Sequence, residues 1–371
     1  MLRVSEPDLT DLERRYVLRA FDSSIISGSG EFVARSESQL SVMTGAKHSL
    51  VTCNGTASLH LALMALGIGP GDEVIVPSFT YIASVNSILY VGANPVFVDV
   101  DETSWTLDPD ELKLAVTTKT KAIMAVHLYG HPFDYELISK FAEDHGLKVI
   151  EDAAEAHFST AYGVRVGKLG SIASFSFFGN KVLTCGEGGA VTTDSDELFS
   201  DMEIIRNQGM DPNRRFFHPI VGNNFRLNNL SASILSAQLE RSDMLLRKRL
   251  QVTEIYDKLF AEYSVPVMKR PKAKWATLTP WLYSILLPSS VAPARAAIMA
   301  DLLEAGIETR PFFTSAHSMP PYTKYRRASG LDRGVQLSAA GLNLPTSSLM
   351  GEDDVHKVVL HLRDCISRLS S

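Results

Sequence analysis

GDEVIVPS (71–78) is a short β-branched run closed by proline, and together with the segments around it, it decides the fold class. Three later apolar runs resemble it and end in acids or at glycine: NPVFVDVD (94–101), KAIMAVHLYG (121–130) and LKVIEDAAEA (147–156). Segments with a helical pattern, each closing at glycine, alternate with these runs: ASLHLALMALG (57–67) and YELISKFAEDHG (135–146). This alternation predicts an α/β fold with a mostly parallel sheet and helices on both faces.

The last third of the chain has a different pattern. Its predicted elements are one or two amphipathic helices at 227–263, a strand at 281–288, and helices at 294–307 and 355–369. We therefore expect two domains, with the boundary inside the long helical stretch. The large domain would span residues 1–248 and a smaller C-terminal α+β domain residues 249–371. The pattern also allows the N-terminal arm to pack on the small domain.

Composition and charge argue against several classes of protein. The 371 residues are 45% hydrophobic and 21% charged, which is typical of a globular protein. The net charge of 36 − 42 = −6 argues against nucleic acid as the main partner. No apolar run follows Arg3 and no stretch is long enough to cross a bilayer, so we expect neither a signal peptide nor a membrane span. Cys53, Cys185 and Cys365 are far apart and the histidines are scattered, which predicts a cytoplasmic location and no metal site.

Polar residues that follow the apolar runs are candidate ligand-binding residues, because ligands of open α/β sheets collect at the carboxyl ends of the strands. Asn54, Gly55 and Thr56 open a predicted helix, where backbone N–H groups and a hydroxyl suit a phosphate. The same residues could simply cap that helix. Asp152 ends a predicted strand and could pair with a protonated ring nitrogen, or be an ordinary buried acid with its own partners.

Lys181 is the third candidate. Aromatic residues precede it and a glycine-rich turn follows it. A lysine in partly apolar surroundings loses its charge more easily and can then bond covalently to an aldehyde, although most lysines are merely exposed. Taken in chain order, the phosphate cup, Asp152 and Lys181 form the set of groups expected around pyridoxal phosphate.

The chain resembles the sugar aminotransferases of the DegT/DnrJ/EryC1/StrS family, which have the fold-type-I architecture of pyridoxal-phosphate enzymes. The resemblance runs from about Ile25 to the end of the chain. It is carried by ISGSGEFV (26–33), NGTASLHLAL (54–63), GDEVIVPSFTYIASVNSI (71–88), VHLYG (126–130), VIEDAAEA (149–156), FSFFGNK (175–181), EGGAVTT (187–193) and GNNFRLNNLSASI (222–234). It implies a pyridoxal-phosphate-dependent transaminase.

The resemblance also implies roles for single residues around the cofactor. Lys181 corresponds to the lysine that holds the cofactor covalently and then moves the proton during transfer. Asp152 corresponds to the acid on the pyridine nitrogen. Gly55, Thr56 and Ser176 correspond to phosphate contacts.

Three further cofactor contacts follow from the same resemblance. Asn224 corresponds to an asparagine that reaches the phosphate of the neighbouring subunit, which implies a homodimer with shared active sites. Tyr81 corresponds to an aromatic residue against the cofactor ring. Glu155 occupies a position near the ring hydroxyl where many relatives have glutamine.

The acceptor is predicted from a narrower resemblance. NQGMDPNRRFFHPIVGNNFR (207–226), EDAAEA and MPPY are similar to family members that aminate C4 of GDP-4-keto-6-deoxy-D-mannose, with L-glutamate as the donor, for O-antigen assembly. In that interpretation Arg310, His317 and Tyr322 are candidates for the nucleotide-sugar side of the pocket. His127, which ends a predicted strand, is a fourth candidate. Arg310 could instead form a surface ion pair, and both histidines could be structural.

Three other functions remain open from the sequence. The first is amination of a dTDP- or UDP-linked keto sugar, at C3 or C4. The second is a pyridoxal-phosphate sugar dehydratase, which Lys181 argues against because related dehydratases have histidine at that position. The third is a non-catalytic regulator on the same fold.

Overall fold

The computed structural model describes residues 1–370. The α-helices are α1 (Asp11–Asp22), α2 (Glu31–Thr44), α3 (Gly55–Ala65), α4 (Ile82–Tyr90), α5 (Leu112–Ala115), α6 (Tyr135–His145), α7 (Asp196–Arg206), α8 (Asn229–Glu240), α9 (Ser242–Glu262), α10 (Arg295–Glu304), α11 (Asp332–Ala340) and α12 (Glu352–Ser370). Short 3₁₀ turns span Pro109–Glu111, Leu128–Gly130, Ala292–Ala294, Ala316–Ser318 and Pro320–Tyr322. The strands are β1 (His48–Thr52), β2 (Glu73–Pro77), β3 (Asn94–Val98), β4 (Thr120–Val126), β5 (Lys148–Asp152), β6 (Thr160–Ala161), β7 (Val164–Arg165), β8 (Ile172–Ser176), β9 (Gly189–Thr193), β10 (Met268–Lys269), β11 (Ala276–Thr277), β12 (Tyr283–Leu286), β13 (Arg310–Pro311) and β14 (Gly341–Leu344).

A seven-stranded sheet organises the first two-thirds of the chain, in the order β1-β9-β8-β5-β4-β2-β3. Strands β3, β2, β4, β5 and β8 are parallel, whereas β9 runs antiparallel to both β8 and β1. Val126 at the end of β4 is paired with Asp152 at the end of β5, so the carboxyl ends of these strands lie side by side. The predicted α/β fold with a mostly parallel sheet is confirmed.

Both faces of this sheet are covered, because successive residues of its strands enter two different hydrophobic cores. On β2, Ile75 packs in one core, while Val74 and Val76 pack in the other. Strand β4 alternates in the same way, with Ile123 facing one core and Met124 the other. Strands buried on both faces explain why these segments are continuous apolar runs in the sequence.

The helix predicted at 57–67 begins two residues earlier, at Gly55, because Asn54 caps it: the backbone N–H of Ala57 donates to Asn54 Oδ1 at 2.8 Å. The helical stretch predicted at 227–263 is two helices, α8 and α9, which meet at Arg241.

A second, four-stranded sheet has the order β10-β12-β14-β13 and is antiparallel throughout. Its hydrophobic core includes side chains from α9, α10 and α12 and extends from Val252 to Ile366. Because α9 passes through position 248 without a break, we propose that the domain boundary lies inside this helix. Ala316, Tyr322 and Leu331 lie beyond that boundary but pack in a core of the first sheet.

The N-terminal arm lies against C-terminal segments. Leu2 forms a parallel bridge with Ile307. The buried guanidinium of Arg249 donates to the carbonyls of Trp281 and Thr346, at 2.9 and 2.6 Å, and to Ser5 Oγ at 3.1 Å. One side chain on α9 therefore joins the N-terminal arm to two loops of the second half of the chain.

Candidate active site

A cavity of about 720 Å³ opens at the carboxyl ends of the parallel strands. Eight residues that the sequence predicted for the site line it: Gly55, Thr56, Tyr81, Asp152, Glu155, Ser176, Lys181 and Arg310. Asn224, which was predicted to reach the neighbouring subunit's phosphate, lines the cavity of its own chain as well. They come from both halves of the chain, and the sheet topology brings them together. This is the position where open α/β sheets bind their ligands.

The phosphate cup is formed by the start of α3 against the end of β8. A Cβ at Gly55 would lie 2.8 Å from the Cβ of Ser176, so only glycine allows the helix to approach this strand so closely. The first N–H groups of a helix lack intrahelical partners and attract anions. Gly55, Thr56 and the Ser176 hydroxyl therefore form a surface suited to a phosphate group.

Asp152 lies at the end of β5, the strand that neighbours β8, and its side chain is buried. Its Oδ2 accepts a hydrogen bond of 2.6 Å from Ser84 Oγ, and its Oδ1 accepts one of 3.2 Å from the backbone N–H of Ala154. A carboxylate held in this way has acceptor capacity left for a protonated ring nitrogen in the cavity.

Lys181 follows β8, and its side chain is almost entirely buried. Burial lowers the pKa of its amine, while the charges of Glu155 and Asp152 oppose that change. Its Nζ lies 3.8 Å from the centroid of the Trp281 ring, and the Trp281 indole N–H donates to the carbonyl of Asn180 at 2.8 Å. Trp281 therefore contacts the lysine and fixes the turn that carries it.

Glu155 is the acid closest to the lysine, with Oε1 3.6 Å from Lys181 Nζ. Its other oxygen accepts a hydrogen bond of 2.7 Å from the backbone N–H of Tyr129. Burial raises the pKa of Glu155 to about 7, although Lys181 acts in the opposite direction. Near neutral pH this pair can therefore hold or release a proton beside the cofactor position.

Aromatic side chains form the remaining walls. Tyr81, at the start of α4, has its ring centroid 5.4 Å from that of Phe313. The Tyr81 side chain is 56% exposed at the cavity, so it is free to stack on a flat ring. Sequence analysis missed Trp281, Phe313 and Asn343 as cavity residues, because isolated aromatic and amide residues in the C-terminal third gave no motif.

The four residues predicted for the acceptor sugar lie in different places. Arg310, on β13, lines the cavity, and its guanidinium lies 3.4 Å from Glu308 Oε1. His127, His317 and Tyr322 are not among the described residues that line the cavity.

Each of these three side chains has a protein partner instead. The fully buried His127 lies 3.0 Å from Glu151, His317 Nδ1 lies 2.6 Å from Ser78 Oγ, and Tyr322 donates to Asn86 at 2.7 Å. Such contacts favour packing roles within the single chain, and substrate contacts by these residues stay predictions.

The cavity fits pyridoxal phosphate on structural grounds. A phosphate surface that needs glycine at position 55, a buried carboxylate and a buried amine with lowered pKa all face one space. Within residues 1–370, no group of three His, Cys, Asp or Glu side chains is arranged to hold a metal ion. No helix in the same described part of the chain is long and apolar enough to span a membrane.

Known proteins of similar sequence and structure point the same way. A GDP-perosamine synthase of Caulobacter vibrioides is 45% identical over 97% of both chains. A GDP-perosamine synthase of Escherichia coli O157:H7 is 41% identical over 95% of both chains. The crystal structure of 3-amino-5-hydroxybenzoic acid synthase superposes with a TM-score of 0.90 and 32% identity, covering 98% of both chains.

The family assignment rests on nearly the whole chain. Residues 7–363 match the DegT/DnrJ/EryC1/StrS aminotransferase family. The match confirms the predicted reaction class, transamination, and the predicted cofactor, pyridoxal phosphate. With its fold, its cavity and this match in agreement, the chain belongs to the DegT/DnrJ/EryC1/StrS aminotransferase family.

Proposed function

We propose that this enzyme transfers the amino group of L-glutamate to C4 of GDP-4-keto-6-deoxy-D-mannose and so makes GDP-perosamine for O-antigen synthesis in lipopolysaccharide. The observation that carries the proposal is the 45% identity to a GDP-perosamine synthase over 97% of both chains. A complete transaminase site supports it, since the lysine, the aspartate and the phosphate cup all face one cavity.

Each residue of the site has a separate role in binding the cofactor or in moving protons. Bound pyridoxal phosphate supplies an aldehyde that exchanges amino groups and a ring that withdraws electrons. The start of α3 and Ser176 bind the phosphate, and Asp152 holds the proton on the ring nitrogen. Lys181, once its amine is free, moves a proton to and from the substrate carbon.

Burial and one neighbour prepare Lys181 for that role. Burial favours the uncharged amine, which is the reactive form. Glu155 at 3.6 Å can take up the proton that the amine releases, because its own pKa is raised to about 7. The aromatic walls exclude water around both groups. Arg310 provides positive charge at the cavity for an anionic part of the substrate.

We further propose a homodimer in which Asn224 of each chain reaches the phosphate site of the other. Asn224 is exposed and lines the cavity. Nearby apolar side chains are exposed in the single chain, among them Phe178 at the cavity and Phe216 and Val221 in the loop before Asn224. Exposed apolar residues around a binding cleft are typical of a protein interface.

The function is tested by offering several acceptors to the purified enzyme with L-glutamate. We expect amination of GDP-4-keto-6-deoxy-D-mannose, detected by mass spectrometry, and little product from dTDP- or UDP-linked keto sugars. Amination of only a dTDP or UDP sugar would reject the acceptor and leave the aminotransferase intact.

Two variants distinguish a catalytic transaminase from a non-catalytic regulator. Lys181→Ala should abolish turnover, while Lys140→Ala, which removes an exposed lysine paired with Asp144, should retain it. If Lys181→Ala remains fully active, or the wild-type chain aminates none of the sugars, the transaminase assignment fails. Deoxygenation of the sugar without amination would favour a dehydratase.

A further inference from the structure

The first turn of α4 carries a hydrogen-bonded chain that ends on Asp152. Ser84, fully buried on that turn, donates to Asp152 Oδ2 at 2.6 Å. Thr80, buried just before the helix, has its hydroxyl 3.1 Å from Ser84 Oγ. We propose that Ser84 is a positioning residue that holds the Asp152 carboxylate in place and aims it at the cofactor's ring nitrogen. The inference rests on the cofactor and reaction assigned above.

Counting hydrogen atoms shows which group donates and which accepts in each of these hydrogen bonds. A serine hydroxyl has one hydrogen and can accept further hydrogen bonds. An ionised carboxylate only accepts, so Ser84 must give its hydrogen to Asp152. The contact with Thr80 is then made by the threonine hydrogen. Thr80 thus fixes the rotamer of Ser84, and Ser84 fixes the carboxylate.

The consequence for Asp152 is geometric. Hydrogen bonds are directional, so a carboxylate holds a proton on a ring nitrogen only when one of its oxygens points at that atom. With one donor on each oxygen, from Ser84 and from the Ala154 N–H, the carboxylate cannot rotate freely.

An ordinary structural role for Ser84 makes a different prediction, and the same helix provides the comparison. Ser84 Oγ also lies 3.3 Å from the carbonyl of Tyr81, a contact that a serine makes in many helices. Ser87, one turn later and equally buried, donates to the carbonyl of Ser84 at 2.9 Å. Ser87→Ala therefore removes a buried helical hydroxyl without touching Asp152.

The test compares the dissociation constants for pyridoxal phosphate of wild type, Ser84→Ala and Ser87→Ala at neutral pH. We expect Ser84→Ala to weaken binding roughly tenfold, the order of one hydrogen bond to a charged group. Ser87→Ala should bind as wild type does.

Two further variants exclude indirect effects. Glu155 and Lys181 interact electrostatically with Asp152, and both are unchanged in these variants. In an Asp152→Asn background, Ser84→Ala should have no further effect on binding, since no carboxylate is left to hold. Thr80→Val, which keeps the shape, should cause a smaller loss in the same direction as Ser84→Ala.

The outcomes are distinguishable. A wild-type protein that stays colourless with pyridoxal phosphate would overturn the cofactor assignment itself. A yellow wild type whose Ser84→Ala variant binds the cofactor equally well would overturn only the role of Ser84. An equal loss in the Asp152→Asn background would do the same, because it would show that Ser84 acts through something other than the carboxylate.

Discussion

Replacing Glu155 by glutamine tests how the enzyme keeps Lys181 reactive. Glu155 Oε1 lies 3.6 Å from the amine, and its negative charge raises the pKa of Lys181 against the lowering caused by burial. Glutamine has nearly the same shape but no charge. We therefore expect the Glu155→Gln variant to have a free Lys181 amine at lower pH than the wild type.

The size of the effect follows from Coulomb's law. Two unit charges 3.6 Å apart interact by about 1.2 kcal/mol in water and about 4.6 kcal/mol at an effective dielectric constant of 20. One pKa unit corresponds to about 1.4 kcal/mol, so removing the charge should lower the pKa of Lys181 by about one to three units. Because the pKa of Glu155 is itself raised to about 7, its charge is only partly developed at neutral pH. We expect a shift near the lower limit.

The assay is the rate at which the apoenzyme takes up pyridoxal phosphate, followed by absorbance across the pH range. The rate rises as the amine of Lys181 loses its proton, and the midpoint of that rise reports its pKa. Glu155→Gln should move the midpoint down by about one unit. Glu187→Gln is the control, since Glu187 also lines the cavity but is not among the main causes that shift the pKa of Lys181. An unchanged or higher midpoint in Glu155→Gln would refute the proposed coupling.

Four further predictions concern packing, stability and assembly. Gly55→Ala should weaken binding of pyridoxal phosphate in equilibrium dialysis, because its Cβ would lie 2.8 Å from that of Ser176; unchanged affinity would contradict the phosphate cup. Arg249→Ala should lower the free energy of unfolding in urea by about 3 kcal/mol, since it leaves two buried carbonyls without their donor, whereas the adjacent Lys248→Ala should have little effect. Burial raises the pKa of Glu155 to about 7, so between about pH 4.5 and 7 the folded protein binds more protons than the unfolded chain does. The free energy of unfolding therefore falls as the pH rises through that window. Glutamine does not titrate, so the urea midpoint of Glu155→Gln should rise relative to that of the wild type as the pH increases from about 5 to 8. A difference in midpoint that stays constant with pH would argue against a buried acid. Val221→Asp should weaken the homodimer in sedimentation velocity, because Val221 is 90% exposed in the single chain, and a dimer of unchanged affinity would place the interface elsewhere.

The sequence predicted the fold well where local pattern and tertiary environment agree. The apolar runs at 71–78 and 147–156 contain strands β2 and β5, because the middle of a strand that is buried on both faces needs consecutive apolar side chains. Asn54 and Gly146 marked a helix start and a helix end that the structure retains. Cavity residues that lie within recognisable sequence motifs, such as Lys181 and Asp152, were also predicted from the sequence.

What the sequence missed depends on contacts between distant segments. Trp281 touches Lys181 from a position 100 residues later, and a single tryptophan in an apolar stretch gives no sign of that role. The small sheet β11-β6-β7 has strands of two residues, too short to form a periodic pattern. The hydrogen bonds of His317 to Ser78 and of Tyr322 to Asn86 also depend on packing that no local pattern records, and the predicted substrate contacts of these two residues stay predictions.

The contacts of residues 2–5 constrain how the polypeptide matures. During synthesis Leu2 and Ser5 leave the ribosome long before Ile307 and Thr346, which belong to the segments that they join. Until those segments emerge, the guanidinium of Arg249 has neither its carbonyl acceptors nor a dry environment to enter. A bulky segment fused ahead of Leu2 would lie beside this late-forming junction, so it should slow the last folding step more than it alters the finished enzyme.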